Sequence, residues 1–188
     1  VALMLDARPE LNWLDVQQIL ARTATPVDFS AEKWVKNAAG LWVSHDYGFG
    51  RVDAGAATAL AETWQLLPTA QTLSGFQNRQ RTLGFKVEQQ GEIPISDDLE
   101  VQLVNVTVDL NHSDWGDIKI ELESPSGTRS VLAETHRNAN TTPPGELTFL
   151  STRHLGESSL GIWKLFVTDD GTDGSGQWVD WSISLICH

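Results

Sequence analysis

Val104, Val106, Val108 and Leu110 alternate with Asn105, Thr107 and Asp109 along one unbroken run. Neighbouring side chains of an extended backbone point to opposite faces, so this spelling fits a strand with one dry side and one wet side. Ile118, Ile120 and Leu122 repeat the pattern and end at a Ser124-Pro125-Ser126-Gly127 turn. Trp163, Leu165 and Val167 form a third run, and Val179, Trp181, Ile183 and Leu185 a fourth. Short alternating strands with Gly, Asp and Pro turns, and no helix between them, predict an antiparallel β-sandwich or jelly roll.

The first 65 residues have a different period. VALMLDAR reads as an apolar helix entered partway, without a start signal. Asn12 is placed to cap a second helix, because its side-chain oxygen can accept from free N–H groups of the first turn, with Asp15 three positions on. Leu14, Val16, Ile19 and Leu20 give that helix one apolar side. A tryptophan-bearing stretch with turns at Gly40, Gly48 and Gly50 follows, and Asp53 caps an alanine-rich helix, AGAATALAETW. The change of period falls in QLLPTAQTLSG, so the chain divides into a helical part, residues 1–67, and an all-β part, residues 68–188.

A chain of 188 residues with eight tryptophans can bury a real core. Its net charge of −12 is concentrated in the second part, where 17 acids face 8 bases against 8 and 5 before residue 69. Such a surface repels phosphate backbones, so nucleic acid and anionic membrane are poor partners. No stretch reaches the roughly 18 apolar residues of a membrane span, and no signal peptide is visible. The one cysteine, Cys187, excludes an internal disulfide; it is either a free thiol or a partner for a cysteine on another polypeptide.

Candidate chemistry is sparse. Ser44, His45 and Asp46 spell a hydrolase triad, but consecutive residues cannot give serine and carboxylate opposite nitrogens of one imidazole. The stretch from Gly156 to Gly161, GESSLG, is one residue too long for a nucleophile elbow. The histidines at 45, 112, 136, 154 and 188 lack metal-ligand spacing and read as surface or loop residues. The better wager is a hard cation. DDGTDGSGQWVD is an acid-rich hairpin loop without the ligand order of an EF-hand, and LNHSDWGD is another. If the two hairpins meet at one end of the sandwich, Asp114, Asp117, Asp169 and Asp173 could share an oxygen-ligated calcium ion; turn chemistry alone also explains these residues. Trp163 and Trp181 occupy core positions; Trp115, in the Asp114/Asp117 loop, is the one tryptophan that could be exposed and functional, with packing the reading favoured for it as well.

Several segments, in order, resemble the C-terminal part of a kexin/furin-like subtilase. VALMLDARPELNWLDVQQILARTA is similar to the family's segment after its catalytic serine, and WVSHDYGFGRVDAGAA to its S-x-x-Y-G-F-G-x-V-D-A close of the catalytic domain. VTVDLNHSDWGDIKIELESPSGTRSVL and LGESSLGIWKLFVTD resemble the P domain, with Leu155 where the family often has tryptophan and Ile118 where it often has leucine. The resemblance implies a helical end of an α/β subtilisin-like catalytic domain over residues 1–67, then a P-domain β-sandwich over 68–188. It places the whole Asp/His/Ser triad before residue 1, so no catalytic residue carries over. The implied setting is a secreted, extracellular or periplasmic, serine endopeptidase acting on protein or peptide substrates. In it the P domain would stabilise the catalytic domain of the same parent and tune its calcium and pH response. The apolar VALML helix should then be covered by that catalytic domain. The alternative is a stand-alone jelly-roll module that binds carbohydrate or protein through the acidic loops and Trp115.

Overall fold

The computed structural model describes residues 1–28, 34–136, 145–171 and 176–188. Three helices, α1 (Ala2–Ala7), α2 (Trp13–Thr23) and α3 (Ala54–Thr63), flank a small hairpin of β1 (Trp34–Lys36) and β2 (Trp42–Ser44). α2 starts where its cap predicts: Asn12 Oδ1 accepts from the amides of Leu14 and Asp15, and Asp15 Oδ2 accepts from the Asn12 amide. The other oxygen of the fully buried Asp15 accepts from Trp64 Nε1 at 2.9 Å and the Leu67 amide at 2.8 Å. One carboxylate thereby ties the start of α2 to the end of α3. Asp53 caps α3 through the Ala56 amide, and Met4, Ile19, Ala57 and Ala61 form a small core between the helices.

The Tyr47-Gly48-Phe49-Gly50 stretch closes this region. Thr25 and Arg51 exchange backbone hydrogen bonds, both 2.9 Å, which join the end of α2 to the start of α3. Gly50 has φ +117°, and a Cβ there would lie 2.5 Å from the Thr25 carbonyl oxygen. Only glycine meets both demands.

Eight further strands run from β3 (Gln71–Leu83) and β4 (Gln89–Ile95) through β5 (Val101–His112), β6 (Ile118–Glu123) and β7 (Arg129–Ala133) to β8 (Glu146–Ser151), β9 (Gly161–Asp169) and β10 (Gly176–Cys187). They form two four-stranded sheets, ordered β3-β10-β5-β8 and β4-β9-β6-β7, with every pair antiparallel. Consecutive strands change sheet except at the β6–β7 hairpin, and the last strand, β10, lies between β3 and β5. The molecule is thus mainly β. Val104, Val106, Val108 and Leu110 face Ile118, Ile120, Leu122, Trp163, Leu165 and Val167 in one dry layer.

One register differs from the sequence reading. A bulge between Trp178 and Asp180 shifts β10 against both neighbours, so Trp178 is buried and Val179 is only half-buried. A bulge adds one residue and reverses which side chains face inward beyond it. Cys187 is fully buried beneath the sheet, and burial pushes its thiol up to about 11, so it is a core residue with no thiolate to offer a partner chain.

Candidate functional site

The two acid-bearing turns do meet at one end of the sandwich: the Asp170 amide donates to the Asp117 carbonyl at 2.9 Å. Asp114 Oδ1 accepts from the Gly116 amide at 2.9 Å and caps the short turn Trp115–Asp117. Asp117 and Asp170 line a depression of about 320 Å³ together with Gly116, Thr135 and His136. Asp169 is turned the other way. It is 1% exposed, its Oδ1 accepts from the Gly171 amide at 3.0 Å, and its Oδ2 lies 3.1 Å from His112 Nε2. An ionised carboxylate only accepts, so the imidazole donates from Nε2. His112 Nδ1 in turn lies 2.6 Å from the Asp114 carbonyl oxygen and 3.1 Å from its amide nitrogen. Asp173 lies outside the described residues. Among the described residues no three His, Cys, Asp or Glu side chains converge as a metal-binding group.

One side-chain expectation is corrected here, that of the histidines, while Trp115 packs as its favoured reading had it. His112 and His154 are core residues, at 2% and 0% exposure, not surface or loop ones. Trp115 is half-buried: its ring stacks 6.5 Å from Phe149 and meets His136 edge-on. The apparent triad is a turn. Ser44 and Gly48 exchange backbone hydrogen bonds, and Ser44 Oγ accepts from the Asp46 amide at 3.2 Å. The serines of GESSLG are also loop ties, Ser158 donating to Asp98 Oδ1 and Ser159 to the Asp97 carbonyl, each at 2.6 Å.

The most heavily engaged polar groups lie elsewhere, on a seam between the helical part and the sandwich. At its first contact, buried Gln18 on α2 donates to Glu100 Oε1 at 2.9 Å, and Arg22 Nη2 donates to the same oxygen at 3.1 Å. Gln18 Oε1 accepts from Arg22 Nε at 2.9 Å, so the three side chains form a closed ring. At the second contact the β1–β2 turn enters the loop before β9. Asn37 Nδ2 donates to the carbonyls of Arg153 (3.0 Å) and Leu155 (2.9 Å), and the Ala38 amide donates to Glu157 Oε1 at 2.9 Å.

Glu157 is 2% exposed and is the centre of this contact. Thr128 Oγ1 also donates to its Oε1, and His154 Nδ1 lies 3.6 Å from its Oε2, an ion-pair distance. Burial pushes its pKa up, but the neighbouring His154 and Ser124 and the hydrogen bonds from Thr128 and the Ala38 amide outweigh it and hold the carboxyl at about 2. Gly156, at φ +82°, brings the loop so close that an added Cβ would lie 3.0 Å from Ala39 Cβ. The loop is fixed to the sandwich by bonds from the Gly156 amide to the Val101 carbonyl and from the Val101 amide to the Glu157 carbonyl, both 2.8 Å. Sequence reasoning gave none of Asn37, Glu100, His154 or Glu157 a role. The available signal was the isolated carboxylate of Leu155-Gly156-Glu157 within the stretch that resembles the P domain.

Comparison with known proteins follows the same division. A family model described as the proprotein convertase P-domain matches residues 101–185. The dibasic-processing endoprotease of Schizosaccharomyces pombe is 32% identical over an alignment that takes in 98% of this chain and 28% of that protein. The extracellular serine protease of Aeromonas sobria is 32% identical, over 90% of this chain and 33% of that protein. The crystal structure of the serine protease of Aeromonas sobria superposes with a TM-score of 0.88 at 27% identity, covering 98% of this chain and 42% of that one. The chain therefore spans about a third or less of the length of these curated relatives.

Proposed function

We propose, for a chain that belongs through residues 101–185 to the proprotein convertase P-domain family of kexin/furin-like endoproteases, that its sandwich is a stabilising cover. What it holds is the end of a subtilisin-like catalytic domain, present here as residues 1–67, with residues 68–188 as the P domain. The parent in this reading is a secreted serine endopeptidase acting on proteins or peptides, and this chain is its non-catalytic part.

The seam is the observation that carries the reading. Asn37, Ala38, Gln18 and Arg22 from the helical part end on Glu157, Glu100 and two loop carbonyls of the sandwich. Each such contact adds free energy to the folded helical part only while the sandwich is folded, which is the linkage by which one part stabilises another. The outer face of α1 supports the reading from the other side. Val1 and Leu3 are each 62% exposed and Leu5 38%, all within or just before this one short helix. Apolar surface gathered in one place calls for a cover, which the remainder of a catalytic domain would supply. The strand order of the sandwich, with β10 between β3 and β5, is read here as a jelly roll.

The test is the heat-inactivation half-life of the full-length protease carrying Glu100→Gln and Glu157→Gln together. Inactivation should accelerate about tenfold or more at fixed temperature, with kcat/KM below that temperature unchanged. An unaltered half-life would remove the stabilising role.

Calcium belongs to the same reading through the depression at Asp117 and Asp170. Calcium takes six to eight oxygens, so carbonyls and water would complete a shell begun by these two carboxylates, without Asp169. Excess calcium should raise the melting temperature by about 2–5 °C over EDTA in the unaltered chain, and by nothing in a chain with Asp117→Asn and Asp170→Asn. Coincident melts of the unaltered chain in calcium and EDTA would sink the metal.

A further inference from the structure

A cleft of about 390 Å³ lies between β1, the turn leading into β7, and Arg153. Its charged wall residues are Lys36, Arg129 and Arg153, with no acid among them, in a chain of 25 Asp and Glu against 13 Lys and Arg. Arg129 is already engaged: its Nε donates to Glu123 Oε2 at 2.8 Å and its guanidinium sits 4.2 Å over the Phe166 ring. Lys36 Nζ lies 4.9 Å over the Trp42 ring. Arg153 is different. It is half-buried, and among the described residues its guanidinium has no hydrogen bond and no ion pair, so that burial alone acts on it and pulls its pKa down. Glu157, which the wall reaches through Thr128 and Ala38, is buried and engaged with both.

A guanidinium withdrawn from water without a partner is unfavourable, and its fixed fork of donors matches the oxygens of a carboxylate, sulfate or phosphate. Lys36 adds a second positive charge, and the Ser126-Gly127 turn borders the same space with open room at Gly127. We propose that this cleft is an oxyanion site, with Arg153 as its principal donor, filled either by the carboxylate of an acidic polypeptide segment or by a free inorganic oxyanion. The inference stands apart from the stabilising role of the seam, since Arg153 takes part in the seam only through its backbone carbonyl.

Thermal melts of the full chain in sodium sulfate and in sodium chloride of equal ionic strength, repeated with Arg153→Gln, test it. Sulfate strengthens folding of any protein by exclusion from its surface, so the reading is the difference between the two chains. The unaltered chain should gain about 2–4 °C more from sulfate than the variant does. Equal gains would overturn the site. In chloride the variant should melt within about 1 °C of the unaltered chain, because the lost group has no partner. Isothermal titration with blocked tetraglutamate and blocked tetraglutamine peptides then distinguishes the sources. Arginine-dependent heat with glutamate alone assigns a polypeptide carboxylate, and response to sulfate alone assigns a free oxyanion. If Arg153→Gln fails to fold, Lys36→Gln carries the same comparison, with a weakened sulfate response expected and an undiminished one counting against the site.

Discussion

Replacing Glu157 by alanine is expected to lower the stability of this chain by about 3–5 kcal/mol, the range for breaking a buried, hydrogen-bonded charge arrangement. The carboxylate accepts from the Ala38 amide and Thr128 and lies at ion-pair distance from His154, so its loss removes the acceptor that the amide and the hydroxyl share in a place water reaches poorly. Urea titration gives the number directly. Its acid dependence is a second signature. The folded-state pKa is about 2, against about 4.3 for an unfolded glutamate. A depressed pKa means that the folded state holds the ionised form, so the contribution is complete above about 4.3 and is lost as pH falls from there toward 2. By linkage it amounts to about 3 kcal/mol. Glu157→Gln should therefore flatten stability against pH across that window, relative to the unaltered chain. Parallel pH profiles would show that the carboxylate is not held ionised by the seam.

Asp169→Ala should be comparably damaging, again by about 3–5 kcal/mol, and equally so in calcium and in EDTA. Its two oxygens are committed to His112 Nε2 and the Gly171 amide inside the protein. Removing them strands a buried imidazole and unties the end of β9 from the end of β5. A calcium ligand would behave differently, since its loss would abolish the calcium-dependent part of the melt and leave the melt in EDTA unchanged. Melting curves of the Asp169→Ala chain in both conditions separate the two roles. Equal losses are expected, and a loss confined to calcium would make Asp169 a ligand.

These two residues mark where the sequence could and could not be read. β5, β6, β9 and β10 were legible because each buries alternate side chains against the opposite sheet, and burial imposes period two. β3 was not, because Gln71–Leu83 is an edge strand whose residues are mostly exposed or half-buried. β8 is likewise an edge strand, with Leu150 67% exposed. The exchange of Trp178 for Val179 was hidden because a bulge is a backbone event that no side-chain pattern announces. That the two acid-bearing turns could meet at one end of the sandwich was posed by the sequence only as a condition, which the Asp170 amide bond to the Asp117 carbonyl meets. The inward turn of Asp169 was not legible, because it depends on His112, 57 residues away. Glu157 was harder still: its partner Ala38 is 119 residues distant and gives only its backbone. What the family resemblance supplied was the stretch, not the role of the side chain within it.

The central claim is that the sandwich holds the helical part through the seam, and native-state hydrogen exchange of the chain with Glu100→Gln and Glu157→Gln tests it most directly. Amides of α2 and of the Asn37–Leu41 turn should lose about 100-fold or more of their protection, while those at the centres of β5 and β10 keep theirs apart from any global loss. Undiminished protection in α2 and the turn, with both carboxylates gone, would contradict the account.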